Sequence, residues 1–249
     1  MQRNIRLVLE YDGTEFKGWQ IQPGQRTVQA ELESCLSKIF GDRIRVVAAG
    51  RTDSGVHALG QVVNFRANGS ISVDRVPHAL NGVLSSDIAV RGADEVPLTF
   101  HARRDAVRRR YFYRIGYGRR AVGRAYKWWM RSRLKVEAVE DGLSRLLGSH
   151  DFSSFCVAVS QCRNPDCHLY ESRLEETEGE ICFHFEANRF LRSMIRGIVG
   201  TLVQVGRGDR CSQDISRILE ARDRRFAGPS APPQGLFLDR VIYNNTVGE

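Results

Sequence analysis

No stretch of this 249-residue chain approaches the roughly 20 consecutive apolar residues that cross a bilayer. No apolar signal region precedes the alternating pattern that begins at Ile5. The expectation is a soluble cytoplasmic protein without a membrane partner. Disulfide spacing is missing too: Cys35, Cys156, Cys162, Cys167, Cys182 and Cys211 form no paired framework, so reduced thiols are expected. Neither Gly-x-x-x-x-Gly-Lys-Ser/Thr nor Gly-x-Gly-x-x-Gly occurs, which removes the usual signs of a nucleotide-phosphate loop. Cys156, Cys162, Cys167 and His168 are close in sequence, but the spacing contains no Cys-x2-Cys knuckle to preorganise a tetrahedral zinc site. No metal is expected there, and ordinary loop thiols are the default.

What is present is arginine. Lys plus Arg number 37 against 29 acidic residues, a formal charge of +8, while 42% apolar content is enough to fill a core. Arginine favours planar, bidentate contacts to phosphate. The cations concentrate in Arg103-Arg104, Arg108-Arg109-Arg110, Arg119-Arg120, Arg124, Lys127, Arg131, Arg133 and Lys135. Tyr111, Phe112, Tyr113, Tyr117, Tyr126, Trp128 and Trp129 are threaded among them. Cations for phosphates with rings that stack on bases suit RNA binding. The competing reading is a solvated charged surface over aromatic core residues.

Hydrophobic periodicity outlines the elements. Ile5, Leu7, Leu9 and Tyr11 alternate as a strand ending at Asp12-Gly13. Thr27 reads as the cap of a helix carrying Val28, Leu32, Leu36, Ile39 and Phe40, with Gly41 as its stop. Strands are expected over 43–49 and 61–66, a short helix near 77–84 and extended chain over 88–96. A strand over 110–117, a helix from Val136 to Gly148, and two strands meeting at Glu178-Gly179-Glu180 follow. A helical stripe runs from Phe190 to Val203, then a short helix over 213–221 and a last strand over 236–243. This order implies an α+β fold: a mixed, mostly antiparallel central sheet with helices on one face and two similar halves. The halves are expected at residues 1–105, carrying the Asp53 loop, and 106–249, completing an active-site cleft.

Asp53 is the candidate reactive group. It sits in a turn between two strand-like runs, two residues after Arg51, with glycines on both sides that let other backbone come close. The bland alternative is a turn aspartate. Asp53-Ser54-Gly55 also matches the triplet of aspartic proteases, but those enzymes need two such carboxylates sharing a proton, and no second copy occurs.

Ala49-Gly50-Arg51-Thr52-Asp53-Ser54-Gly55-Val56-His57-Ala58 resembles the signature of the TruA-type tRNA pseudouridine synthases. Tyr11 to Pro23 is similar to that family's first strand and loop, and Arg26 to Glu33 to its first helix. Phe100-His101-Ala102-Arg103, followed by Arg110-Tyr111-Phe112-Tyr113, resembles its middle motif. His150 to Phe155, Asn188 to Gly200, and Ala227 through Leu238 continue the likeness in family order. The cysteine-rich loop Cys156–His168, with Gln161, Arg163 and Asn164, departs from the family pattern.

The resemblance implies a pseudouridine synthase-like fold and isomerisation of uridine to pseudouridine at positions 38, 39 and 40 of the tRNA anticodon stem-loop, with no cofactor. It makes Asp53 the catalytic aspartate, attacking C1′ or C6 or assisting a glycal intermediate. It pairs Arg196 with Asp53; the plain alternative is that Arg196 reaches solvent. Tyr111 would stack on the uracil and assist removal of the C5 proton. Arg51 would enter the stem as the target nucleotide flips out. Phe100, His101, Ala102, Arg103 and Arg104 would contact RNA, and the protein would be a homodimer with the tRNA anticodon arm as partner. A non-catalytic RNA-binding protein would keep the arginines and aromatics but have no need of Asp53.

Overall fold

The structure is a computed structural model that describes residues 2–69, 71–157 and 164–244. In chain order its elements are β1 (Gln2–Tyr11), α1 (Val28–Phe40), β2 (Val46–Ala48), β3 (His57–Asn68), α2 (Val76–Asn81), β4 (Ile88–Val96), β5 (Ala106–Tyr117), β6 (Trp128–Met130), α3 (Val136–Ser144), β7 (Gly148–Asp151), β8 (Asp166–Thr177), β9 (Glu180–Ala187), α4 (Met194–Arg207), α5 (Asp214–Ala221) and β10 (Leu236–Tyr243). The fold is α+β with mostly antiparallel strands. The chain divides into two units: one runs to Val107 and takes back the last strand from Phe237 on, and the other is Arg108–Leu236.

In the first unit β1 lies between β3 and β4, antiparallel to both, while β2 pairs with β3 and β10 joins β3 in parallel. Strand alternation sorts the side chains. Ile5, Leu7 and Leu9 of β1 and Val63 and Phe65 of β3 are buried on one face. There Phe40 of α1 meets Phe65 edge-on at 5.4 Å. Helix α1 begins where Thr27 accepts the Ala30 N–H and ends at Gly41, whose φ of 76° suits glycine. Val8 and Val62 face the other way, packed with Ala49, Phe100, Ala102, Val241 and Tyr243. This second cluster seats the segment that follows β4.

The second unit orders its antiparallel strands β5-β9-β8-β7, with β6 parallel to β5. Helix α4 is buried along most of its length. Three of its glycines allow neighbours to come to contact distance, and Gly200 is the extreme case: a Cβ there would overlap the Pro229 carbonyl oxygen. Gly228 donates its N–H to Thr201 Oγ1 at 2.9 Å, so the segment after α5 is fastened to this helix face.

Three sequence expectations need correction. The helix starting at Val136 ends at Ser144, and Gly148 (φ 94°) opens a strand instead of stopping the helix. The stripe from Phe190 begins as non-helical chain, because Ser193 lies at φ 58° and α4 starts at Met194. Strands β6 and β7, three and four residues long, were not foreseen.

Candidate active site

Asp53 lies in the turn between β2 and β3 and is half-buried, with Arg51 and Ser54 exposed beside it and Thr52 buried. The turn is held on every side by the segment after β1. Trp19 N–H donates to the Thr52 carbonyl (3.1 Å), and Gly55 N–H to that of Phe16 (3.3 Å). The Ser54 hydroxyl also donates to the Phe16 carbonyl (3.2 Å). Within the turn, Val56 N–H donates to the Asp53 carbonyl (3.2 Å). Gly13 approaches so closely that a Cβ would overlap the Val56 carbonyl oxygen. The Asp53 backbone is therefore pre-set by hydrogen bonds that leave its carboxylate at a partly accessible position.

Side chains complete the clamp. The Tyr11 phenol and Thr52 Oγ1 lie 2.8 Å apart. Burial pushes the Tyr11 phenol up to about 12, against the opposing effect of its hydrogen bonds with Thr52 and Gln61. Gln61 donates to the Gly50 carbonyl at 3.0 Å. Buried His57 accepts the Gly13 N–H on Nδ1 (3.0 Å), lies 3.1 Å from Asp12 Oδ1, and stacks on Phe237 at 4.6 Å between centroids. Tyr11, Asp12, Thr52, His57 and Gln61 were not singled out from sequence as site residues. Their signal was the company of Tyr11-Asp12-Gly13 and the Asp53 turn, which no local periodicity connects.

Residues 100–105 form a separate turn in the same unit. Nδ1 of His101 accepts the N–H groups of Arg103 (3.2 Å) and Arg104 (3.3 Å), and Asp105 accepts the His101 N–H (2.8 Å). Phe100 is 8% exposed and packs on Tyr243 at 5.3 Å; Ala102 is fully buried. Asn64 accepts the Ala102 N–H and Tyr243 donates to its carbonyl. Phe100 and Ala102 thus anchor the turn from below, and exposed Arg103 and Arg104 with half-buried His101 present its outer surface.

In the second unit, β5 alternation places Tyr111 and Tyr113 on the buried face opposite Phe185 and Phe183 of β9. Phe112 turns the other way, towards His184. The Tyr111 ring meets Phe190 edge-on at 5.1 Å. Tyr113 donates to the Pro232 carbonyl at 2.8 Å, and burial raises its phenol pKa against the opposing charge of Arg196. Arg196 is half-buried on α4, and its Nε donates to the Ala231 carbonyl at 2.8 Å. Its own carbonyl accepts the Ala231 N–H at 2.8 Å. That bracing gives a polar reason for an arginine inside an apolar helical stripe.

The basic stretch is divided in use. Glu186, 4% exposed, takes Arg108 at 2.9 Å and Arg110 at 2.8 Å, and Glu180 takes Arg114 and Lys127. Arg119, Arg120, Arg124, Arg131, Arg133 and Lys135 are exposed. Of the cysteine-rich segment, Gln161, Cys162 and Arg163 lie outside the described residues. Cys156 and Cys167 are buried, and His168 Nδ1 lies 2.7 Å from the Ser149 hydroxyl. Among the described residues no His, Cys, Asp and Glu groups are arranged to hold a metal ion. Nor is any described helix long and apolar enough to cross a membrane.

Comparison with known proteins gives one answer. The family described as tRNA pseudouridine synthase matches residues 7–105 and 143–244. A protein of Exiguobacterium sp. strain AT1b is 42% identical over 241 residues, covering 97% of this chain and 98% of its own length. One of Anoxybacillus flavithermus is 43% identical over 245 residues, 98% and 100% of the two chains. A third, of Halalkalibacterium halodurans, is 45% identical over 246 residues, 98% and 94%. All three are called tRNA pseudouridine synthase A. With a family match over most of its length and relatives this similar end to end, the chain belongs to the tRNA pseudouridine synthases, a family of isomerases.

Proposed function

We propose that this protein isomerises uridine to pseudouridine at positions 38, 39 and 40 of the tRNA anticodon stem-loop, without a cofactor, as a cytoplasmic homodimer. The N1–C1′ bond breaks, the uracil turns while bound, and C5 bonds to C1′. The C5 proton leaves and N1 takes one up, so atoms balance and nothing is oxidised or hydrolysed. A group that acts on the sugar or base of a paired nucleotide needs that nucleotide out of the stack, which costs a few kcal/mol. Exposed Arg51, beside the Asp53 turn, fills the gap.

The observation that carries this reading is the Asp53 turn itself: a half-buried carboxylate whose backbone is held by Trp19, Phe16 and Val56. Asp53 serves as nucleophile, at C1′ or C6, or as the charge that supports a glycal intermediate. Arg196 is assigned as the cation that pairs with Asp53. Tyr111 stacks on the uracil and helps remove the C5 proton. Arg103 and Arg104, with His101, hold the RNA backbone.

The test is to incubate purified protein with unmodified tRNA transcripts and map pseudouridine by selective chemical labelling, with tritium release from C5 as the rate. Wild type labels positions 38–40. Asp53→Asn loses essentially all tritium release while tRNA binding is retained. Modification by that variant at the wild-type rate overturns the assignment. Tight tRNA binding by wild type with no tritium release favours a binding protein.

A further inference from the structure

The second unit carries a groove of about 510 Å³ lined by Trp128, Trp129, Met130, Arg131, Ser132, Arg133, Lys135, Gly206 and Arg207, none of them acidic. Its construction follows from two glycines. Gly116 lets the Trp129 ring lie on the β5 backbone, where a Cβ would overlap the indole. Gly206 lets buried Leu134 press on the last turn of α4, where a Cβ would come within 2.8 Å of the leucine Cβ. Lys135 N–H then donates to the Gly206 carbonyl at 2.8 Å. The chain leaving β6 is thereby bound to the end of α4. Leu134 points in, and Arg131, Arg133, Lys135 and Arg207 are exposed around half-buried Trp128 and Trp129.

Two half-buried indoles, Trp129 with the Lys127 ammonium 5.6 Å from its ring centroid, beside four exposed cations suit a polyanion that also carries riboses and bases. Arg133 is partly engaged, 3.7 Å from Glu176 and with its guanidinium over Tyr117 at 5.8 Å. Residues 128–135 fall between the two segments matched by the family, 7–105 and 143–244.

We propose that this groove binds consecutive backbone phosphates of tRNA through Arg131, Lys135 and Arg207, with the tryptophan pair against the ribose or base of the same strand. The proposal rests on the reading of tRNA as substrate and adds a second place where the protein holds it. Each phosphate neutralised releases counterions, contributing about 0.7–0.9 to the slope of log affinity against log salt.

The experiment measures binding of an unmodified tRNA transcript by fluorescence anisotropy across a salt series. It compares wild type, the triple variant Arg131→Ala, Lys135→Ala, Arg207→Ala, and a charge-matched control with Arg75→Ala, Arg91→Ala, Arg217→Ala. Circular dichroism checks that each is folded; if the triple variant is not, the single variants Arg131→Ala and Lys135→Ala replace it. The groove variant is expected to lose roughly tenfold or more in affinity near 0.1 M salt and about two units of slope; the control stays near wild type. Equal losses in both variants, or no loss in the groove variant, overturn the proposal. Tritium release by wild type in parallel separates the two readings. Pseudouridine formation with an unaffected groove variant sinks the groove alone; weakened binding without pseudouridine in wild type sinks the catalytic reading alone.

Discussion

The phenol of Tyr11, at the end of β1, and the hydroxyl of Thr52, one residue before Asp53, share a buried hydrogen bond of 2.8 Å. They stand 41 positions apart in the chain, yet the pair ties the catalytic candidate to a strand paired on both sides in its own unit. Tyr11→Phe removes the partner and leaves a buried hydroxyl to be satisfied elsewhere. The expected cost is about 1–2 kcal/mol of stability, read as a fall in Tm of a few degrees. Tritium release should slow about tenfold at saturating tRNA, since a small displacement of a reacting group is costly. tRNA affinity should stay within about twofold of wild type. Unchanged kcat in a folded variant would mean that the Asp53 turn does not depend on this bond.

Arg196→Met tests the assignment of Arg196 to Asp53. A guanidinium paired with the Asp53 carboxylate would supply charge and position at the reacting centre, and methionine keeps the bulk without either. Tritium release at saturating tRNA should fall at least tenfold, with tRNA affinity near wild type and partial recovery in Arg196→Lys. The variant also loses the Nε contact to the Ala231 carbonyl, which makes stability alone a poor readout. A rate near wild type in a folded variant, or a loss of rate that only follows a fall in Tm, would assign Arg196 to bracing the segment after α5.

Glu186 gives a prediction about stability against pH. Burial would raise its pKa, but hydrogen bonds from Arg108 and Arg110 outweigh that and hold the carboxyl below its ordinary value of 4.5. Such a group stabilises the fold above the unfolded-state value and loses that contribution as pH falls through the folded-state one. Glu186→Gln should therefore cost about 1–3 kcal/mol at pH 7, because two half-exposed arginines lose their carboxylate. The gap to wild type should close progressively below about pH 4.5. Denaturant titrations of both proteins at pH 7, 5 and 4 measure it; a gap independent of pH would show that packing, not charge, is what Glu186 supplies.

Gly200→Ala is expected to be the most damaging single methyl group in the second unit. Its Cβ would overlap the Pro229 carbonyl oxygen, which is backbone and cannot swing aside. Overpacking of this kind costs roughly 3 kcal/mol or more, a drop in Tm of about 6–12 °C by calorimetry. Gly24→Ala, in open space at φ 68°, provides a comparison in which only backbone strain is added.

What could be read from sequence follows from how local each cause is. Helix α1 was legible to its ends because Thr27 and Gly41 act within one turn of chain. Strands β4 and β10 were legible because each opens on an apolar run, Ile88 to Val90 and Leu236 to Leu238. Asp53 stood out through its glycines. Tyr111 did not reveal its facing until β5 was paired with β9, since Phe112 and Tyr113 follow it with equally large rings. Phe190 fitted the α4 stripe by spacing but is diverted before Ser193 to meet Tyr111. The clamp around Thr52 and the burial of Phe100 and Ala102 depend on partners dozens of residues away, which no window of sequence contains.

Strand β10 lies beside β3, with Phe237 opposite His57 and Leu238 opposite Ala58. A ribosome making this chain from its amino terminus must therefore finish the whole second unit before the first can receive its last strand. During that interval the nascent Asp53 turn lacks the ring that stacks on His57. The turn is made early and completed late, its last contact arriving only as β10 is added.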